Sequence, residues 1–558
     1  MRVRNMTKAA AGFAIAGASA MLAPAAAYAC RGFFCNNSAP VEQTGEHIIF
    51  AVDPAANKTE ATVLVNYAGP SESFAWIVPT PSFPEIGVSS ASVFSRIEQL
   101  IGPRFVLNWS ERGTCNYGWM GDAEFDGAPG PTAGAGEGRD DDGVTVVARE
   151  QVGPYDTVTL QATSAEVLLE WLRANEYDIP ETILPYVQPY VVMGGSVHFV
   201  AFKLLSDRDT GDLQPIVLRY DGVKPTIPIQ LTAVATQPDL GVTATVLGPH
   251  RAVPENYLSV EINYARVDWL NNASNYDALI SAAMDEAGGQ GFRTEFAGST
   301  DLFEGMFFTP GRYDRDRIAN APLEQLVDEL RNQGFMGDAQ LQALFEQFIP
   351  VPEGVDSQSF FNCIACYIDQ VDTSAYDGQA FADALWMTIV EPLQHAQDTF
   401  DRLPYVTRLY TTLSAEEMNL DPIFAFNPDL EAFSNVHVAD AIVDCGEGGD
   451  YYTSPVIVRL ADGREIITTR NGGDRTALDA MPAAQSFAET GASGPPVVLR
   501  DNNAEIEVAL AEFNAIAADQ FLAPRSVRGG GCSTSPAPAA PAALWLGLLG
   551  LVAVRRRR

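Results

Sequence analysis

The chain has 558 residues, 47% of them apolar, and carries a formal charge of −36 from 35 basic and 71 acidic side chains. That much apolar material excludes global disorder, and the length allows several domains. So large an acidic excess leaves no basic footprint for a phosphate backbone, which argues against nucleic acid as a partner.

The chain begins with an address. Arg2, Arg4 and Lys8 precede an apolar run from Ala9 to Leu22, and Ala27-Tyr28-Ala29 is an A-x-A cleavage site. Residues 1–29 therefore read as a signal peptide, cut after Ala29 to leave Cys30 first. An acylated lipoprotein also begins with Cys. Tyr28 fits poorly before such a site, and Cys35 offers Cys30 a disulfide partner, so ordinary cleavage is the preferred reading.

Residues 30–264 read as β-rich. His47–Val52 and Thr62–Tyr67 are β-branched and aromatic runs around a turn at Asp53–Asn57, and Phe74–Val78 is a third strand. Ser89–Ile101 is a helix with Val93, Ile97, Leu100 and Ile101 on one face. Gly127–Gly143 is a glycine-rich acidic loop. Thr163 and Glu166 form a capping box for the next helix. Val197–Leu205 and Gln214–Tyr220 read as a hairpin turning at Asp207–Asp212, which falls short of a calcium loop. Further strands are expected at Ile229–Ala235, Gly241–Leu247 and Leu258–Asn263.

Residues 265–400 read as a mainly helical insertion. Asn275 caps one helix, stopped at Gly288, and Pro322 starts another, stopped at Gly334. Asp338 caps a third, and Gln379–Phe400 forms a longer helix kinked at Pro392. Residues 401–525 continue as α+β. They hold a capping box at Ser414 and Glu417, a type I′ hairpin around Asp462-Gly463, and a last helix at Glu505–Phe521. The fold class is thus α+β, with a β-rich N-terminal half and a helical insertion.

Residues 526–558 form a second address. Gly529-Gly530-Gly531-Cys532 leads into a Ser/Thr/Pro/Ala stretch, an apolar run from Ala542 to Val554, and Arg555–Arg558. A short hydrophobic anchor helix with positive-inside arginines is one reading, although the run is shorter than the roughly 20 residues a span needs. Loss of both ends would remove basic residues and no acid.

With Cys532 set aside, Cys30, Cys35, Cys115, Cys363, Cys366 and Cys445 are disulfide candidates, as expected of an exported chain. Their connectivity is open beyond Cys30 with Cys35 as a local pair. Cys363-Ile364-Ala365-Cys366 is a C-x-x-C. Tyr367 stands where haem attachment needs His, a zinc site lacks its second ligand pair, and a thioredoxin-like context is missing. A structural disulfide is the default.

No Walker loop, H-E-x-x-H or G-x-S-x-G motif occurs. No catalytic residue, metal ligand or cofactor is assigned. If an active site exists, His437 with Asp421 or Asp444 is the first place to look. Lys203, at the end of an apolar strand, reads as pairing with an acid rather than as a buried base.

Two resemblances add to this reading. The Gly-Cys motif, apolar run and arginine cluster, in that order, resemble the Myxo-type C-terminal sorting signal of certain Gram-negative bacteria. That resemblance implies a sorting protease, processing and lipid attachment at Cys532, and display at the cell surface. Cys30-Arg31-Gly32-Phe33-Phe34-Cys35, Phe74-Ala75-Trp76-Ile77-Val78-Pro79, Val152-Gly153-Pro154-Tyr155-Asp156, Phe199–Leu204, Arg408–Ser414 and Asp421-Pro422-Ile423-Phe424 follow one another in order. Together they resemble the bacterial family called domain of unknown function 2330, over about residues 30 to 440. The resemblance implies secretion and anchoring but no reaction. The expectation is an exported, envelope- or surface-anchored structural or binding ectodomain that meets the membrane through its C-terminal segment. The alternative is an extracytoplasmic hydrolase or thiol oxidoreductase.

Overall fold

The computed structural model describes residues 42–68, 75–117, 145–175, 177, 181–192, 197–205, 213–234, 236–335 and 339–521. Ala29, Cys30, Cys35, the acidic loop at 127–143, the Asp207–Asp212 turn, Asp338, Cys532 and both chain ends lie outside these residues.

The expected first hairpin is present. Glu42–Asp53 pairs antiparallel with Lys58–Ala68, and Asn57 in the turn takes a left-handed φ of 52°. Along the first strand the side chains alternate between two cores. Ile49 and Ala51 face the helices that follow residue 299, whereas Ile48, Phe50 and Val52 face a second sheet. This hairpin sits in a ten-stranded sheet. From one edge its strands are Val497–Asp501, Ala484–Glu489, Leu258–Ile262, Gly291–Ser299, Tyr405–Leu413, Leu240–Gly248, Glu42–Asp53, Lys58–Ala68, Ile216–Asp221 and Glu85–Val88.

Two four-stranded sheets flank it. One joins Ala75–Thr80, His198–Leu204, Tyr155–Gln161 and Thr145–Val152. The other joins Glu465–Thr469, Pro455–Leu460, Val436–Asp450 and Arg104–Asn116. Between Ser299 and Tyr405 the described residues are mainly helical, and their core is aromatic. Phe303, Phe307 and Phe400 pack together at one end, and Phe345, Phe361 and Phe381 at the other. The architecture is therefore mixed α+β with β-rich sheets, as expected.

Several local expectations are corrected. Strands His198–Leu204 and Ile216–Asp221 form no hairpin; they pair in different sheets. Residues Ile229–Thr232 form a helical turn, not a strand, because the Asp421 carboxylate accepts the Gln230 N–H at 3.1 Å and caps it. Ser164 rather than Thr163 caps Ala165–Ala174, its Oγ accepting from the Val167 N–H at 3.2 Å. Asn275 stands at the N-cap of its helix as expected, but its side chain makes no capping bond; its amide instead bridges the Asp268 N–H and the Arg266 carbonyl, each at 2.8 Å. The long helix meets Pro392 without breaking. A π-helical turn at Trp386–Val390 precedes Glu391–Arg402, so the proline lies in a first turn. The Asp462-Gly463 turn has a left-handed φ only at Gly463, 90°, so it is not type I′.

The segment read as helical also holds the strand Gly291–Ser299, and the α+β continuation opens with the strand Tyr405–Leu413, which was not foreseen. These two pair with each other deep in the large sheet.

Two disulfides are present among the described residues: Cys115–Cys445 and Cys363–Cys366. The first links the parallel strands Arg104–Asn116 and Val436–Asp450 across a sequence separation of 330, with the Cα atoms 5.2 Å apart. Closing so long a loop removes entropy from the unfolded chain. Replacing both Cys115 and Cys445 with Ala should lower the unfolding free energy by about 2–5 kcal/mol. Urea unfolding under oxidising conditions measures this, and an unchanged midpoint would show the link to be idle.

Candidate functional site

The strands Gly291–Ser299 and Tyr405–Leu413 carry the least expected feature of the core. Arg293 is 1% exposed, Glu295 1% and Arg408 6%. A bulge between Thr294 and Phe296 disturbs the alternation of the first strand here and re-aims its side chains. Two guanidiniums thus lie on neighbouring central strands, and burying a charge requires partners.

Each arginine has its own set. Arg408 Nε donates to Glu295 Oε2 at 2.6 Å, and its Nη1 pairs with Glu98 Oε2 at 2.6 Å. Tyr276 Oη donates to the other oxygen of Glu295 at 2.7 Å. Arg293 pairs through Nη1 with Glu261 and donates from Nη2 to Tyr264 Oη at 2.7 Å. Its guanidinium lies 4.8 Å from the Phe433 ring centre. Burial opposes the charge on Arg293, but Glu261, Tyr264 and Tyr276 together outweigh it and hold its pKa above the ordinary value.

The Tyr264 hydroxyl also lies 3.0 Å from His437 Nδ1. Which of the two donates depends on the imidazole tautomer, since the Tyr264 oxygen can accept a second bond beside that from Arg293. Burial, followed by the Arg293 charge, lowers the His437 pKa from 6.5 to about 4. Phe105 packs against the imidazole with ring centres 5.1 Å apart.

His437 and Tyr264 open onto a cavity of about 300 Å³, whose lining also includes Glu261, Trp269, Asp462 and Gln485. The hairpin residue Arg464 organises one wall. Its Nε donates to Asp462 Oδ2 at 2.6 Å and its Nη2 to Gln485 Oε1 at 2.7 Å. Burial acts to raise the Asp462 carboxyl, but the side-chain bond, backbone bond and charge of Arg464 together outweigh it and hold the group below its ordinary value. Two roomier cavities exist, of about 610 and 390 Å³. Their described linings hold no histidine and no part of the arginine network.

Of the residues singled out from sequence, His437 lies in this site and its suggested partners do not. Asp421 accepts from Tyr190 Oη at 2.9 Å and caps the turn at residue 229. Asp444 pairs with Arg112 at 2.6 Å. Lys203 donates to the Asn175 carbonyl at 2.6 Å and sits over the Tyr177 ring. Cys363 and Cys366 are bonded to each other away from the cavity. No cluster of His, Cys, Asp and Glu able to hold a metal occurs among the described residues, and none of their helices is long and apolar enough to cross a membrane. Sequence reading missed Arg293, Glu295, Glu261, Tyr264 and Arg408. The available signal was Phe292-Arg293-Thr294-Glu295-Phe296, where opposite charges alternate with apolar side chains as in a strand.

Residues 24–305 match the family described as an uncharacterized protein conserved in bacteria, domain of unknown function 2330, and the chain belongs to it. The match includes Glu261, Tyr264, Trp269, Arg293 and Glu295 and ends before Arg408 and His437. No curated protein and no solved structure matches the chain.

Two outcomes follow from the network. Glu295→Gln leaves a buried guanidinium short of a carboxylate and should cost about 3 kcal/mol in urea unfolding; a loss under about 1 kcal/mol, the scale of a surface pair, would show the network to be energetically slack. The second concerns pH. His437 in the folded chain binds its proton near pH 4, the unfolded chain near 6.5. Between these values only the unfolded state is protonated, so this contribution to stability is lost as pH falls from about 6.5 towards 4. His437→Asn keeps an acceptor for Tyr264 but does not titrate. The stability gap between wild type and this variant should shift against the wild type by roughly 2 kcal/mol between pH 7 and pH 4.5. A gap independent of pH would place the imidazole in water.

Proposed function

We propose that the chain is an exported, non-catalytic ligand-binding ectodomain held at the bacterial cell envelope, with the His437 cavity as its binding site. The observation that carries this reading is how the cavity's charged groups are committed. Glu261 is paired with Arg293, and Asp462 with Arg464. Arg464 holds the Asp462 carboxyl below its ordinary value, which unsuits it as a general acid, and burial followed by Arg293 lowers the His437 pKa to about 4. Fixed, mutually paired charges around a concave, partly apolar site suit recognition.

The two disulfides support an oxidising compartment. The chain ends support the rest of the reading. Residues 1–29 are removed on export, and a sorting protease processes the tail at Cys532, where a lipid is attached.

Intact-mass measurement and peptide mapping of the native protein, with and without reduction, test the location. The expected chain starts at Cys30, ends near Cys532 with added lipid mass, and holds Cys115–Cys445 and Cys363–Cys366 oxidised. A chain that retains Met1 and Arg558, with these cysteines reduced, overturns export and sorting together.

A further inference from the structure

The cavity's unspent hydrogen-bonding groups identify the kind of ligand it takes. Three polar atoms of its lining have no partner among the described residues: Glu261 Oε1, the Gln485 amide nitrogen and His437 Nε2. They supply a carboxylate acceptor, an amide donor and an imidazole nitrogen. Between them the wall is apolar or aromatic, with Tyr264, Trp269, Val438 and Leu460.

The charge balance is equally specific. Two carboxylates are matched by two guanidiniums, and the imidazole is neutral. A charged ligand would give up its hydration and find every opposite charge already paired, which is costly in a partly buried site. A neutral ligand that alternates C–H surface with hydroxyls loses nothing of that kind. It can lay its C–H face on the aromatic wall and exchange hydroxyl bonds with the three free groups. At about 300 Å³ the cavity lies at the small end of ligand sites, the scale of a single ring rather than a chain.

We infer that the His437 cavity binds one neutral sugar ring, a pyranose or the terminal residue of a glycan, through Glu261, Gln485 and His437. This rests on the cavity being the binding site of the protein. A neutral pyranose acquires specificity here because a lost hydroxyl leaves a half-buried polar group unpaired.

Isothermal titration of the full processed chain tests the inference. The probes are glucose, galactose, mannose and N-acetylglucosamine, with glucuronate and glucosamine as charged counterparts and glycine betaine and proline as small non-sugar ligands. At least one neutral pyranose should give a saturable isotherm, with both charged counterparts weaker by about tenfold or more. Gln485→Ala should weaken binding about tenfold. Ala461→Trp, on the hairpin turn that lines the cavity, should abolish it while leaving the arginine pairs untouched. Ala461→Trp is used in place of Glu261→Gln, which would remove the carboxylate beside the buried Arg293 and endanger folding. Met387→Ala, in a different cavity, should change nothing. If a charged or non-sugar probe binds best and Ala461→Trp blocks it, the sugar inference falls and the binding site stands. If no probe binds, or pyranose binding survives Ala461→Trp, the sugar inference and the assignment of this cavity fall together.

Discussion

Two guanidiniums buried on neighbouring strands set the terms for the rest of this structure. Arg293 and Arg408 cannot keep their charge in the core without carboxylates beside them, because the desolvation of an ion costs several kcal/mol. The three carboxylates and one phenol that partner them come from four different places in the chain. Glu295 lies on the Gly291–Ser299 strand itself, Glu261 on the next strand, Glu98 on the first helix, and Tyr264, which links Arg293 to His437, in the turn after residue 262. The network therefore selects how the sheet edge, the first helix and the Val436–Asp450 strand come together. An apolar core would have tolerated many such packings; paired charges tolerate few, and here that specificity shapes a cavity.

Arginine is the residue suited to this role. Its planar fork bonds Glu295 and Glu98 from one side chain, as in Arg408, and a lysine could not hold both in fixed directions. The chain contains only Lys8, Lys58, Lys203 and Lys224, so nearly all its basic groups are of the kind that can be buried in a fork. The cavity is then a product of packing. Phe105, Trp269 and Tyr276 fill the space behind His437, and the Arg464 hairpin closes one wall. The Cys115–Cys445 link joins the same two parallel strands that bring Phe105 and His437 side by side.

What was legible in the sequence follows the range of the interactions. The first hairpin, the Ser89 helix region and the Pro322 helix are local, and their β-branched runs, apolar periods and caps were enough. The Arg104–Asn116 strand was not legible, since it is exposed along most of its length and lacks a clear alternation of apolar and polar residues. Its partner lies over 300 residues away in parallel register, a pairing that no local pattern announces. Gly291–Ser299 was missed for another reason. Its Arg and Glu sit where a buried strand is expected to be apolar, and only the distant Glu261 and Arg408 make those charges tolerable. His437 stood out as a rare residue type, but the groups that set its proton came from elements that sequence reading had placed elsewhere.

The acidic excess and the balanced cavity belong to one electrostatic argument. Net charge acts at long range, and salt of cellular strength screens it within about a Debye length of roughly 8 Å. Like charge of this size acts as a long-range repulsion towards other acidic surfaces, but at short range a ligand meets only the groups that touch it. In the His437 cavity those groups cancel: Glu261 against Arg293, and Asp462 against Arg464. A site whose own charges are internally matched is insulated from the surplus around it, because any unpaired acid in its wall would have drawn cations from solution. Neutralising the wall with buried arginines rather than removing the acids retains their lone pairs as hydrogen-bond acceptors. That is the condition under which an acidic protein can select an uncharged ligand by its hydroxyl pattern rather than by its charge.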